Sequence, residues 1–336
     1  MNRSTYLIVG YGSIGKRHLQ NLRRLQPGAR IIVLRQSIPV DASTPVPDGA
    51  DEVLGELGAA LQRQPSAAII CSPSPYHTEV ARQLVDVGVH LLIEKPISNH
   101  LDGVEALATL CDQRKLILMT AYNFRFSDSC TLFRQRLLDG EIGRILSASV
   151  DTGQYLPDWR PDSDYREGVS AQRKLGGGAL LELSHEFDYL NWLLGEALTV
   201  YALVRNTGTL DLDVEDCADL LITYPHGVVA SVHIDFLQRQ PHRCCKVIGT
   251  DGTLIWNAIT QEITLIRPEL PAPVISSPTS NQRNDMYLQE LEHFLDCVAG
   301  RDQLQVTGWD GIAALKIAQA AQQSSESSRA VSITEL

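Results

Sequence analysis

Short apolar runs alternate with helical patterns over the first third of the chain. The strand-like runs are 6–9, 31–34, 67–71, 90–93 and 116–120. Between them, apolar positions recur at helical spacing, as in 16–25 and 78–87. Strands that alternate with helices in this way are typical of a parallel sheet with right-handed crossovers. We therefore predict an α/β domain over residues 1–124.

The pattern changes after residue 126. A helical stretch at 128–138 leads into strand-like runs at 145–154, 200–205, 219–224, 228–236 and 243–249. Tyr224-Pro-His-Gly227 and Gly249-Thr-Asp-Gly252 separate such runs as hairpin turns, which predicts an antiparallel sheet. Further helices are predicted over 178–194 and from Tyr287, and a surface loop over 267–284. Residues 125–336 are thus expected to form a second α/β domain.

Length and composition support a two-domain globular protein. At 336 residues the chain is long for one hydrophobic core. A net charge of -11 repels phosphate backbones, so we expect no nucleic-acid partner. Neither a signal-peptide pattern nor an apolar run of about 20 residues is present, so we expect no membrane association. The 7 cysteines form no C-x-x-C pattern, so reduced thiols, a cytoplasmic location and no metal site are expected.

A glycine-rich motif, Gly10-Tyr-Gly12-Ser-Ile-Gly15, follows the first strand and opens a helix. In that context the glycines allow a tight turn, close approach to a pyrophosphate and helix–strand packing. The alternative is a glycine-rich loop without a ligand. The position of the motif at the start of a βαβ series favours dinucleotide binding. The predicted contacts are Gly10, Gly12, Ser13, Ile14 and Gly15.

The end of the second strand bears on the choice of cofactor. An acidic residue there would bind the ribose 2′-OH of NAD, but the strand is followed by Arg35-Gln36. An arginine at this position can pair with the 2′-phosphate of NADP. The alternative is an exposed arginine with no ligand. Of the two cofactors, NAD and NADP, the sequence slightly favours NADP.

Several motifs in order resemble the glucose–fructose oxidoreductase/inositol dehydrogenase (Gfo/Idh/MocA) family over nearly the whole chain. They are the glycine turn, Ser72-Pro-Ser-Pro-Tyr-His77, Glu94-Lys-Pro96, Asn123-Phe-Arg-Phe126, Trp159-Arg160, Gly176-Gly-Gly178 and His185-Glu-Phe-Asp188. The resemblance implies an N-terminal Rossmann domain and a C-terminal α/β domain with an open, mostly antiparallel sheet. It also implies a homodimer or homotetramer built through the uncovered face of that sheet. The C-terminal segment 306–331 is similar to the family's last helix. We expect this helix to pack back on the first domain.

By the same resemblance, cofactor-lining residues come from both domains. From the first domain these are Ser72, Pro73, His77, Glu94, Lys95 and Asn123. Trp159 and Arg160 would be contributed by the second.

Two residues are candidates for acid–base chemistry on a hydroxyl. Lys95 follows a strand at the carboxyl edge of the sheet, where a cation can stabilise a developing oxyanion. His185 has a side chain suited to proton transfer near neutral pH. Glu182 and Asp188 lie three residues on either side of His185, which predicts one helical face and an orienting role for Glu182. The family's usual acid lies at the position of Leu181, so the equivalence of Glu182 is open. The alternatives are a strand-end lysine and a structural histidine held by Asp188.

Three more residues are candidates for substrate contact alongside Lys95 and His185. Tyr155, Tyr165 and Arg173 lie on the segment that leads into the glycine triplet. The alternative is that the tyrosines pack and the arginine is solvated.

The leading hypothesis is an NAD(P)-dependent dehydrogenase or reductase that acts on a secondary hydroxyl of a sugar, nucleotide sugar or cyclitol. One alternative keeps the fold but uses tightly bound NAD transiently for glycoside cleavage or epimerisation. Another is a non-enzymatic dinucleotide-binding sensor. The presence of both Lys95 and His185 argues against the sensor, which needs neither a proton acceptor nor an oxygen-polarising cation.

Overall fold

The computed structural model describes residues 3–36, 38–41, 43–278, 282 and 284–336. The chain divides into two compact units. Unit 1 consists of Met1–Asn123 and Asn284–Ile312, and unit 2 of Phe124–Arg283 and Ala313–Leu336. All of residues 125–336 were predicted to belong to the second domain. The structure differs because Asn284–Ile312 returns to the N-terminal unit.

The helices are numbered along the chain. They are α1 (Ser13–Leu25), α2 (Leu57–Leu61), α3 (His77–Asp86), α4 (Val104–Arg114), α5 (Asp128–Leu138), α6 (Ala179–Glu182), α7 (His185–Leu194), α8 (Asp285–Val298) and α9 (Gly308–Ser327). Short 3-10 helices occur between several of them. Within the residues described, no helix is both long enough and apolar enough to cross a membrane.

Unit 1 contains a parallel sheet. Its strands in the described chain are β1 (Thr5–Val9), β2 (Arg30–Leu34), β3 (Glu52–Leu54), β4 (Ala67–Ile70), β5 (His90–Glu94) and β6 (Leu118–Ala121). Their order is β3-β2-β1-β4-β5-β6, the order of a doubly wound Rossmann sheet. Leu7, Ile32 and Leu92 are fully buried, as expected for strands covered on both faces. The predicted Rossmann domain is confirmed, although the short strand β3 was not predicted.

The returning segment of unit 1 packs on α1 and β6. The guanidinium of Arg17 lies 4.3 Å from the ring centroid of Tyr287 on α8. Asn284 donates a hydrogen bond of 2.9 Å to Asn21 on α1. At the start of α9, a Cβ on Gly308 would lie 2.4 Å from the Leu118 side chain. These contacts explain why the segment belongs to unit 1.

Unit 2 contains a mixed sheet. Its strands in the described chain are β7 (Ile145–Gly153), β8 (Thr199–Arg205), β9 (Cys217–Thr223), β10 (Val229–Asp235), β11 (His242–Gly249), β12 (Thr253–Asn257), β13 (Glu262–Ile266), β14 (Val274–Ser276) and β15 (Val331–Ser332). The order is β14-β13-β12-β11-β7-β10-β9-β8-β15. Neighbours β7 and β10 are parallel, and the other described pairs are antiparallel. The open, mostly antiparallel sheet implied by the family resemblance is thus observed.

Trp256 on β12 forms the centre of the core of unit 2. It is 1% exposed, and its indole N–H donates a hydrogen bond of 3.0 Å to Ser129 on α5. Phe124, Phe133 and Tyr189 surround it with ring centroids at 5.4 to 6.1 Å. This aromatic cluster fastens α5 and α7 to one face of the sheet.

Two elements of unit 2 correct the sequence analysis. The predicted loop over 267–284 contains the edge strand β14, which exists because β13 offers it a partner. The predicted helix over 178–194 is two helices, since α6 ends at Glu182 and α7 begins at His185. The break lies next to Glu186, whose buried carboxylate contacts Thr152 and Arg243 on the sheet. Because these partners lie far from Glu186 in the sequence, the local pattern of apolar residues does not predict the break.

Candidate active site

The predicted dinucleotide turn connects β1 to α1. Gly10 has a φ of +93°, and a Cβ there would lie 2.9 Å from backbone atoms of Cys71. A Cβ on Gly15 would lie 2.2 Å from the carbonyl oxygen of Gly10. Around a Cβ on Gly12, by contrast, no described atom lies within 4 Å. The fold therefore requires Gly10 and Gly15, whereas Gly12 leaves open space at the N-terminus of α1.

That open space fits the pyrophosphate of a dinucleotide. α1 begins at Ser13 and has no acidic residue in its first turn, so its N–H groups and dipole favour an anion. The hydroxyl oxygen of Ser72 is buried, with no hydrogen-bond partner among the described residues. A buried hydroxyl of this kind calls for a partner, which a ribose or phosphate would supply. Both features are what a bound dinucleotide requires of unit 1.

The parallel sheet gathers most of the other predicted positions of unit 1. Each follows a strand: Arg35 after β2, Ser72 and Pro73 after β4, Lys95 after β5, and Asn123 after β6. The carboxyl ends of parallel strands share one edge, where ligands bind in open α/β sheets. Lys95 is half-buried at this edge and Asn123 is buried.

Two residues that were predicted to contact the cofactor, His77 and Glu94, have hydrogen-bond partners within unit 1. In the buried His77 ring, Nδ1 lies 3.1 Å from the Pro96 carbonyl oxygen, and Nε2 lies 2.6 Å from that of Ser72. Burial lowers the pKa of His77. Glu94 Oε1 lies 2.7 Å from Nε2 of His18, a fully buried residue of α1. These contacts help to hold the turns that carry Ser72 and Lys95, and the cofactor contacts of His77 and Glu94 stay predictions.

Arg35 lies beside the glycine turn. Its guanidinium carbon is 5.5 Å from the ring centroid of Tyr11, and Lys16 Nζ lies at the same distance from that ring. Both are within the range of cation–π attraction. Neither Tyr11, inside the glycine motif, nor Lys16, directly after it, was predicted as a site residue.

His185 begins α7 and is half-buried. Its ring meets that of Phe124 edge-on, with centroids 5.0 Å apart. Because α6 ends at Glu182, the predicted single helical face that would join Glu182 to His185 does not exist. The three-residue spacing therefore carries no argument for an orienting role of Glu182.

The acidic neighbours of His185 have partners that the sequence analysis missed. Arg125 donates to both carboxylate oxygens of Asp188, at 3.0 Å from Nε and 2.6 Å from the terminal nitrogen. This ion pair is buried on both sides. Glu186 accepts from Thr152 at 3.1 Å and lies 2.8 Å from Nε of Arg243. The buried ion pair between Arg125 and Asp188 holds the first turn of α7 in place, and with it the backbone of His185.

Tyr155 and Trp159 lie where β7 leaves the sheet. The Trp159 ring packs edge-on against Phe236 at 5.4 Å, and its indole N–H donates to the Gln154 carbonyl at 3.1 Å. The guanidinium of Arg239 stacks on the Tyr155 ring, 3.6 Å from its centroid. Arg160 is exposed.

Tyr165 and Arg173 fasten another loop. The Tyr165 hydroxyl accepts from the backbone N–H of Asp211 at 3.3 Å. Arg173 donates to the Asp213 carbonyl through its guanidinium at 2.9 and 3.2 Å. Both side chains thus make loop contacts, and their contact with substrate, like that of Tyr155, stays a prediction.

One group of side chains offers ligand atoms suited to a metal ion. Cys217, Asp219 and His233 place a ligand atom each within 4.8 Å of one another on the open face of the unit 2 sheet. Arg205 already donates to Cys217 and Asp219, and His233 lies 3.0 Å from Asp235. These partners balance the charge of the group, and we assign it no ligand.

Family models match both parts of the chain. An oxidoreductase-family model with an NAD-binding Rossmann fold matches residues 4–122, and the C-terminal α/β domain model of the same family matches residues 134–333. The chain therefore belongs to the Gfo/Idh/MocA oxidoreductase family. It is an enzyme of that family, and its first domain is an NAD-binding Rossmann domain.

Individual relatives are more distant. The chain is 26% identical over 254 residues to 1,5-anhydro-D-fructose reductase of Ensifer adhaerens, covering 73% of each protein. It is 22% identical over 331 residues to scyllo-inositol 2-dehydrogenase (NAD(+)) of Bacillus subtilis, covering 94% of this chain and 92% of the relative. The structure of levoglucosan dehydrogenase in complex with NADH and levoglucosan superposes with a TM-score of 0.87 at 18% identity, over 99% of this chain and all of the other.

Proposed function

We propose that this enzyme transfers hydride between NAD(P) and a secondary hydroxyl of a sugar, nucleotide sugar or cyclitol. The observation that carries the proposal is the position of Lys95, at the same edge of the parallel sheet as the open glycine turn. Relatives named for 1,5-anhydro-D-fructose and scyllo-inositol support the substrate class.

The proposed chemistry divides between two side chains. When bound, NAD(P) accepts or supplies the hydride. The ammonium of Lys95 hydrogen-bonds the reacting oxygen and stabilises negative charge that develops on it. His185 takes the hydroxyl proton in oxidation and returns it in reduction. We keep Glu182 as a candidate for orienting the His185 side chain, although the two residues lie on different helices.

The proposed cofactor contacts follow the turn and the sheet edge. Gly12, Ser13 and Ile14 bind the pyrophosphate through backbone N–H groups, with Gly10 and Gly15 shaping the turn. The other proposed cofactor contacts are Ser72, Pro73, His77, Glu94, Lys95 and Asn123 from unit 1, and Trp159 and Arg160 from unit 2. We further propose that Arg35 makes NADP the preferred cofactor by pairing with its 2′-phosphate.

We also propose a homodimer or homotetramer that covers the open face of the unit 2 sheet. Burial alternates along β8, β9 and β10, so one face packs on helices and the other is open. Tyr201, Leu203, Leu221 and Val229 point to the open face and are 39 to 51% exposed. Apolar side chains concentrated on one face mark a surface that another protein covers.

Turnover of Lys95→Ala and His185→Ala tests the chemistry. With NAD or NADP and a panel of inositols, anhydro-sugars and UDP-sugars, each variant should lose about 10²- to 10⁴-fold in kcat. His185→Ala should keep its cofactor affinity, and the control His100→Ala, an exposed histidine, should match wild type. If both groups serve one step, the double variant should lose far less than the product of the single losses.

Two results would count against this assignment. Wild-type turnover in both single variants would remove Lys95 and His185 from the chemistry. Cofactor that co-purifies and shows no net reduction during turnover would favour transient oxidation over a dehydrogenase.

A further inference from the structure

We propose that Arg239 forms an anion-binding subsite in unit 2, so that the preferred substrate carries a carboxylate or phosphate group besides its reacting hydroxyl. Tyr155 holds the guanidinium in place. This inference rests on the proposed function and narrows its substrate class to anionic sugars.

The subsite lies where two parallel strands end together. Asp235 of β10 is in register with Gly153 of β7, so the segments that follow leave the sheet side by side. The backbone N–H of Tyr155 donates to the Gln238 carbonyl at 2.6 Å, and that of Leu156 to the Phe236 carbonyl at 3.0 Å. The two loops are therefore joined at the position of Arg239.

The turn before Arg239 is held by a buried carboxylate. Asp235 is 2% exposed, and one of its oxygens accepts from the backbone N–H groups of Leu237 and Gln238. Its other oxygen accepts from the Gln238 side chain at 2.7 Å, and that amide also donates to Asp151 at 2.9 Å. A turn tied at this many points carries Arg239 with little conformational freedom, which lowers the entropic cost of binding.

The guanidinium is oriented but not neutralised. The guanidinium stacks on the Tyr155 ring, 3.6 Å from its centroid, and belongs to an exposed residue whose N–H groups solvent can reach. In the part of the chain that the structure describes, no acidic side chain pairs with Arg239. By comparison, Arg243, four residues further along the chain, pairs with Glu186. A planar guanidinium that has no carboxylate partner in the protein can bind the carboxylate or phosphate of a ligand through two parallel hydrogen bonds.

The subsite belongs to the same end of unit 2 as His185. Arg239 precedes Arg243 by four residues, so their Cα atoms are at most about 14 Å apart. The Arg243 guanidinium lies 4.8 Å from the ring centroid of Phe124, and that ring lies 5.0 Å from the ring of His185. Tyr155, which carries the stacked guanidinium, follows β7 by two residues, and Thr152 of β7 donates to Glu186, the sequence neighbour of His185.

Calorimetric binding to the cofactor-loaded enzyme tests the subsite with matched probes. The probes are D-glucose, D-glucuronate, D-glucose 6-phosphate and UDP-N-acetylglucosamine. At least one anionic probe should bind wild type about 10- to 100-fold more tightly than glucose, and Arg239→Ala should remove that gain. Glucuronate alone would identify a carboxylate, whereas the phosphorylated probes would identify a phosphate. Arg239→Lys should recover only part of the gain, since an ammonium lacks the planar fork.

Controls separate this inference from the proposed function. Arg301→Ala removes an equal charge from an exposed residue of unit 1 and should leave all affinities unchanged. Cofactor affinity and the melting temperature of Arg239→Ala should equal those of wild type. Equal affinity for neutral and anionic probes, no anionic probe bound, or an anionic preference that survives in Arg239→Ala would each overturn the subsite. Hydride transfer, measured separately on the same probes, decides the proposed function whatever the outcome at Arg239.

Discussion

At the scale of single residues, Arg35 decides which cofactor the enzyme prefers under our proposal. Arg35→Ala should raise the Kd for NADP by about 10- to 100-fold, because one charge-assisted hydrogen bond is lost. The Kd for NAD should change little. Fluorescence titration of both cofactors measures this, with Arg24→Ala, an exposed arginine of α1, as the matched control. A wild-type protein that binds NAD at least as tightly as NADP would contradict the proposal.

Residue types alone did not reveal the hydrogen-bond and stacking partners of the candidate side chains. His77 and Glu94 are polar residues in recognisable motifs, yet the structure pairs them with backbone carbonyls and with His18. Arg239 belongs to no motif and became a candidate only through its stacking on Tyr155. These partners lie 5 to 84 residues away in the sequence, so the identity of a residue does not reveal which partner it has.

At the scale of elements, the glycine turn separates a requirement of the fold from a requirement of the ligand. Gly12→Ala should keep a near-native melting temperature, because its Cβ meets no described atom within 4 Å. It should still weaken cofactor binding at least about tenfold, since the Cβ enters the space for the pyrophosphate. Gly15→Ala places a Cβ 2.2 Å from a backbone oxygen and should destabilise the protein strongly.

Thermal unfolding and cofactor titration of the two variants give the comparison. Undiminished cofactor affinity in Gly12→Ala would contradict the dinucleotide role of the turn. A wild-type melting temperature in Gly15→Ala would show that the turn can relax.

At the scale of the whole molecule, the open face of the unit 2 sheet predicts self-association. Light scattering of the wild type at micromolar concentration should give the mass of a dimer or tetramer. Leu221→Asp places a charge in the middle of that face and should shift the mass towards the monomer. Leu138→Asp, at an exposed leucine at the end of α5, is the matched control and should not. A monomeric wild type would remove the proposed interface.

The sequence by itself determined the Rossmann sheet and its glycine turn. Strands such as β1 and β2 are buried on both faces, so they appear as continuous apolar runs, and the turn needs glycine for steric reasons. The hairpins after β9 and β11 were visible for a similar local reason, since turn residues at Tyr224–Gly227 and Gly249–Gly252 favour chain reversal.

Only the tertiary structure decided the elements whose causes lie elsewhere in the chain. The break between α6 and α7 accompanies the contacts of Glu186 with Thr152 and Arg243, 34 and 57 residues away. The edge strand β14 forms on β13, and α8 belongs to unit 1 because it packs on α1. Local patterns report local energies, whereas buried ion pairs and packing depend on partners that meet only after the chain has folded.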